Sequence, residues 1–177
     1  MANLPVPVPY SWSVGDTFTA AIGNTTRDAL LFLISPPAFL GVQTIAQSLP
    51  NGTWTALALD TAPLDSYGGH STTSNTSRYV APVTGWYTCA GVACISQNGT
   101  GPRGARLHVN GAPVQGTGAF IPSGAGVDMA VPTPTRDVRL NAGDVLEVAA
   151  YQNCGNPLNT AVYSDIASAL WARWSHV

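Results

Sequence analysis

Gly85-Trp86-Tyr87-Thr88-Cys89-Ala90-Gly91-Val92-Ala93-Cys94-Ile95 reads as one long β-strand. It is rich in Cys, Val, Ala and aromatics and contains neither proline nor charge, which suits a strand buried on both faces. Outward from it the chain keeps the same rhythm. Upstream lies a brief strand, Arg78 to Ala81, stopped by Pro82 and preceded by a polar loop over Asp65 to Ser77. Further upstream, Val42 to Ala46 and Thr53 to Leu59 flank Leu49-Pro50-Asn51-Gly52, whose Asn-Gly pair predicts a hairpin. Downstream, Ala105 to Val109 turns at Asn110-Gly111, and Val127 to Val131 and Asp137 to Leu140 are short strands. Asn141-Ala142-Gly143-Asp144 turns into Val145 to Tyr151, with Asp144 capping its own turn. A loop from Asn153 to Asn159 leads to a final strand over Ala161 to Trp174. Turn signals recur about every ten residues and no helices are interleaved, so an all-β sandwich or jelly roll is expected and a doubly wound α/β fold is excluded.

Composition agrees. The 177 residues suffice for one domain. Hydrophobic residues make up 45% and charged residues 9%. About 25% charged is usual, so the chain lacks what covers solvent-facing helices. There are seven Arg, no Lys, eight Asp and one Glu (Glu147). A net charge of −2 and scattered Arg argue against a nucleic-acid partner. Surfaces this poor in charge repel their own copies weakly and suit an oligomer. On the last strand Leu170, Ala172 and Trp174 share one face with Val162 and Ile166, while Tyr163, Ala167, Ala169 and Trp171 take the other. Both faces are apolar, so one meets the core and the other a sister copy.

The N-terminal region differs. Pro5, Pro7 and Pro9 predict an extended arm within the first ten residues. Thr17 to Ile34 predicts the one helix, with Asp16 as its N-cap and Ser35-Pro36-Pro37 as its stop. Ile22, Thr26, Ala29, Leu30 and Leu33 form its apolar stripe. Gly23 and the threonines weaken it, so it needs a surface: its own sandwich, a threefold self-association, or another protein. Domain organisation is thus arm and helix over 1–37 and sandwich over 38–177. The start lacks the basic region and apolar core of an export signal, so a cytoplasmic product is expected. The apolar run Ala29 to Ile34 is far short of the roughly 20 residues that cross a bilayer, so no membrane partner is expected.

Cys89 and Cys94 are five apart in one strand and point to opposite faces, so they cannot pair there. Small buried thiols are expected, with a disulfide involving Cys154 as the alternative. The spacing offers no metal site and no cofactor cradle; Gly99 to Gly104 lacks the helix that a phosphate loop needs. Ser71, His70 and Asp65 can be written as a nucleophile, base and acid, but no nucleophile elbow exists. One Glu and turn-bound Asp residues make a poor glycosidase pair. A non-enzyme is expected. Tyr67, His70, Arg103 and Asn156 fall in polar loops, where binding residues are often carried.

Four motifs in order resemble the jelly roll of the tumour necrosis factor and complement globular-head superfamily. Val83-Thr84-Gly85-Trp86-Tyr87 resembles its Gly-X-Tyr strand head, and Leu107-His108-Val109-Asn110-Gly111 its hairpin. Val138-Arg139-Leu140-Asn141-Ala142-Gly143-Asp144-Val145-Leu146-Glu147-Val148 resembles its Leu-X-X-Gly-Asp-X-Val strand pair. The C-terminal strand ends in Leu170-Trp171-Ala172-Arg173-Trp174 where the family has Phe-X-Gly-Phe. The front end is narrower: Trp12 to Ala20, Asn24, Arg27-Asp28-Ala29 and Phe32-Leu33 before Pro36-Pro37 look like the opening of small structural proteins of actinobacterial tailed phages. The Lys-free composition agrees with a GC-rich genome. The resemblance implies a homotrimeric jelly roll on a virion surface, attached by residues 1–37 to the major capsid protein or another virion protein. A capsid decoration protein or short head fibre is the first reading. A tail-tip or tail-fibre protein that recognises a host-surface glycan is the alternative. Tyr87, Tyr151, Trp171 and Trp174 are expected at the trimer interface or core, and Ile22, Leu30 and Leu33 on the attachment helix.

Overall fold

A computed structural model describes residues 6–177. The expected arm falls partly outside them; residues 6–10 are neither helix nor strand. After helix α1 (Ala20–Ile34) come β1 (Ala38–Val42), β2 (Ser48–Leu49), β3 (Thr55–Ala56), β4 (Thr61–Asp65) and β5 (Tyr79–Val80). The central strands are β6 (Gly85–Ile95), β7 (Arg103–Val109), β8 (Ala112–Pro113), β9 (Ala119–Ile121) and β10 (Met129–Pro132). The chain closes with β11 (Arg136–Leu140), β12 (Val145–Gln152), β13 (Leu158–Asn159) and β14 (Ala169–His176).

Two antiparallel sheets pack face to face. The first runs β10-β6-β14-β1-β4, with β11 also on β6; the second runs β3-β12-β7-β8, with β5 on β12 and β9 on β7. The core fills from alternate residues: Phe39, Tyr87, Cys89, Leu140, Leu170 and Ala172 from the first sheet, Leu107, Leu146, Val148 and Ala150 from the second. The glycine that heads β6 has a packing cause. A Cβ on Gly85 would collide with the indole nitrogen of Trp174. The outermost strands β4, β8 and β10 each carry a proline: Pro63, Pro113 and Pro132.

Several expectations are met. The Asn110-Gly111 turn joins β7 to β8 with φ of 52° and 80°, the left-handed values such a hairpin requires. Asp144 accepts from the Asn141 backbone at 2.7 Å and from the Asn110 side chain at 2.8 Å.

Others need correction. β6 is not buried on both faces throughout: its odd positions are inside, Trp86 is exposed, and only Ala93 to Ile95 are covered on both sides. Residues 42–59 do not form a hairpin. β2 pairs with β13 and β3 with β12, because Gly52 donates to the Gln152 carbonyl and Asn51 accepts from Gly155, both about a hundred residues away. The final strand begins at Ala169 rather than Ala161, since Tyr163 and Ile166 bridge to each other in a loop. The helix begins at Ala20, capped by the Thr19 hydroxyl, which accepts from Ile22 at 3.3 Å. Asp16 instead closes the preceding turn, accepting from the Ser13 backbone at 2.7 Å and the Tyr10 hydroxyl at 2.8 Å.

Candidate oligomerisation face and attachment segment

The first sheet has an outer face turned away from the core. At its centre Trp171 on β14 lies between Leu40 of β1 and Ala90 of β6. One pair along, Ala169 lies between Val42 and Val92, and Leu64 on β4 flanks Leu40. This band carries no charged side chain. Ala90, Val92, Ala169 and Trp171 also line a shallow apolar cavity of about 210 Å³. A polar rim closes one end: Arg173, the Thr88 hydroxyl bonded to Asp137 at 2.6 Å, and Trp86 stacked on His176 at 6.1 Å. An apolar centre inside a polar rim is the anatomy of a protein–protein contact.

Of the four aromatics expected at an interface or in the core, Trp171 alone lies on this face. Tyr87 is fully buried and donates to the Val83 carbonyl at 2.7 Å. Trp174 is buried beneath Phe32, rings 4.8 Å apart, and donates to the Thr84 carbonyl. Tyr151 belongs to the outer face of the second sheet, in a cluster with Trp54 at 5.2 Å and Phe120 at 5.7 Å. Arg106 lies 4.0 Å over Trp54, and its Nε donates to His108 Nε2 at 2.7 Å. Burial holds the His108 imidazole below its ordinary value; the adjacent Arg106 adds to this and Glu147, its cross-strand neighbour, opposes it. Nothing local in the chain signals this cluster, because its members come from segments up to a hundred residues apart.

The loop candidates are not brought together. β12 runs from Val145, paired beside the His70 loop, to Gln152, paired with Arg103. Tyr67 and His70 therefore sit at one end of the sandwich, and Arg103 and Asn156 at the other. Arg103 is not a loop residue at all but opens β7, fully buried. Its guanidinium donates to the carbonyls of Asn98, Thr100, Gly101 and Pro102 at 2.9–3.2 Å. It clamps its own loop and cannot meet a ligand. Arg103→Met should cost about 3 kcal/mol by orphaning these acceptors, which is roughly 10 °C in melting temperature by circular dichroism. Unchanged melting would remove the clamp. Asn156 is exposed, its carbonyl accepting from Gln152 and Cys154.

Both ring nitrogens of His70 are engaged by backbone carbonyls, those of Arg78 at 2.9 Å and Leu59 at 2.8 Å. Asp65 accepts from the backbones of Gly69 and His70, not from the imidazole. The Ser71–His70–Asp65 set is therefore not assembled. Among the described residues no three His, Cys, Asp or Glu converge as metal ligands, and no helix is long and apolar enough to cross a membrane. The three thiols are free and buried, and burial pushes the Cys89 thiol up to about 12.

The helix buries Ala29 and Phe32. Phe32 meets Trp174 and the edge of Tyr67, whose hydroxyl donates to the Ser35 carbonyl. Tyr67 thus ties the helix down. Ile22 is half-buried, while Leu30, Leu33 and Ile34 are exposed at 54%, 65% and 75%. Before the helix, Tyr10 meets Trp12 edge to face at 5.1 Å and Trp12 stacks on Phe18 at 6.1 Å, with Trp12 and Phe18 exposed.

No family profile and no curated protein matches this sequence. Solved structures do. The globular domain of zebrafish complement 1qA protein superposes with a TM-score of 0.56 at 16% identity, over 78% of this chain and 95% of that one. Murine APRIL gives 0.54 at 11% identity, over 77% and 98%. The Eiger TNF of S. frugiperda gives 0.52 at 14%, over 80% and 92%. The fold is the tumour necrosis factor-like jelly roll. In this jelly roll β6, with its Gly85-Trp86-Tyr87 head, and β14 pair along the middle of the first sheet.

Proposed function

We propose that this chain is a homotrimeric structural protein of a tailed-phage particle, a capsid decoration protein or short head fibre held by residues 1–37. The observation that carries the trimer is the uncharged band at the centre of the first sheet's outer face, around Trp171, which buries its apolar surface when sister copies meet. The tumour necrosis factor-like fold and the low charge of the chain support the same assembly. The virion reading rests on the front end, Trp12 to Ala20 through Pro36-Pro37, and on the exposed aromatic and aliphatic side chains it presents. Three attachment segments on one trimer raise a weak single contact through effective concentration. The chain acts by binding and has no catalytic role. Neither nucleic acid nor membrane is a partner.

A tail-tip or tail-fibre protein that recognises a host-surface glycan is the second reading. The Trp54, Phe120 and Tyr151 cluster favours it, because aromatic surfaces beside an Arg suit sugar rings. Immunogold labelling of purified particles separates the two: label over the heads is expected, label at the tail tip supports the second reading, and particles without label overturn both.

A further inference from the structure

We infer that the last turn of α1 lies inside the contact between sister copies, leaving the aromatic cluster ahead of the helix to hold the particle. This rests on the trimer proposed above. Leu33 and Pro36 form one wall of a cavity of about 320 Å³, and Thr88, Trp171, Arg173 and Trp174 form the other. Leu33 therefore overhangs the same sheet face that Trp171 occupies. A body that covers Trp171 meets Leu33 as well. Leu33 adds its exposed aliphatic surface to that of Trp171 across this cavity. Arg173, which lines the cavity, has no ion pair among the described residues.

The occupant is a second copy of this chain because the surface continues the sheet face that sister copies cover. The particle is left with the other end of the segment. Fifteen helical residues span about 22 Å, and Tyr10, Trp12 and Phe18 cluster at the far end from Leu33. The helix thus separates two contacts with different partners.

Full-length Leu33→Cys tests this. The native thiols are buried, so a maleimide reports on position 33, and its exposure of 65% keeps the change out of the core. The comparison is the Leu33→Cys/Trp171→Asp double variant, which the trimer reading makes monomeric. Labelling in the trimer should be at least about tenfold slower than in that monomer, as an interface position requires. Equal rates, with sedimentation showing trimer and monomer, would overturn this inference and leave the trimer standing. A double variant that stays trimeric removes the Trp171 face from the contact and the inference with it. A monomeric Leu33-containing parent overturns both.

Discussion

Trp171→Asp should convert the trimer to folded monomers at micromolar concentration. Trp171 sits at the centre of the outer face, between Leu40 and Ala90, where a contact loses the most water. Removing a central aromatic anchor costs about 2–4 kcal/mol, and each trimer has three. A carboxylate put there must also be desolvated when copies meet, a cost that the neighbouring Arg173 offsets only in part. Each 1.4 kcal/mol is about tenfold in the equilibrium, so the combined loss takes dissociation past any practical concentration. The monomer should keep its fold, because Trp171 points away from the core that Leu170 and Ala172 fill. Analytical ultracentrifugation with near-ultraviolet circular dichroism reads both. A variant that sediments as the trimer would refute the face assignment.

Deletion of residues 1–18 should leave the trimer intact and weaken particle binding by at least about a hundredfold, the factor that three linked contacts can supply. The cut spares Thr19, the N-cap, so α1 keeps its start. It removes Tyr10, Trp12 and Phe18, the exposed aromatic cluster, together with the Asp16 turn that supports it. Phe18 also rests on Gly23 in the first turns of the helix, which predicts modest fraying there. Co-sedimentation with purified particles measures the effect. Binding equal to the intact chain would move attachment elsewhere on the molecule.

What could be read in advance divides along the range of the interactions. The β6 strand, the Asn110-Gly111 turn and the Asn141 to Asp144 turn were legible because neighbours in sequence cause them. The alternation of β14 was legible from period two, which put Trp171 opposite Leu170 and Ala172. The Asn51-Gly52 turn misled for the same reason. Its glycine adopts the positive φ that a hairpin wants, yet its hydrogen bonds go to Gln152 and Gly155. Arg103 misled because glycines and a proline precede it; nothing local says that four carbonyls of that loop turn inward to receive a guanidinium. Of the loop candidates, Tyr67 and His70 turned out to be engaged in holding the helix and their own loop. The Trp54, Phe120 and Tyr151 surface escaped notice, since cross-strand neighbours there depend on which strands pair.

The prolines of β4, β8 and β10 limit how copies can add to one another. Proline removes a backbone donor, and Pro63 sits midway along β4 while Pro113 and Pro132 end β8 and β10, so templating of a next chain is hindered at these edges. Association through flat surfaces is favoured over it. Flat contacts round an axis close on themselves after a fixed count, whereas ribbon growth has no terminus. In a crowded cell, that difference separates a stock of finite units ready for use from an insoluble tangle.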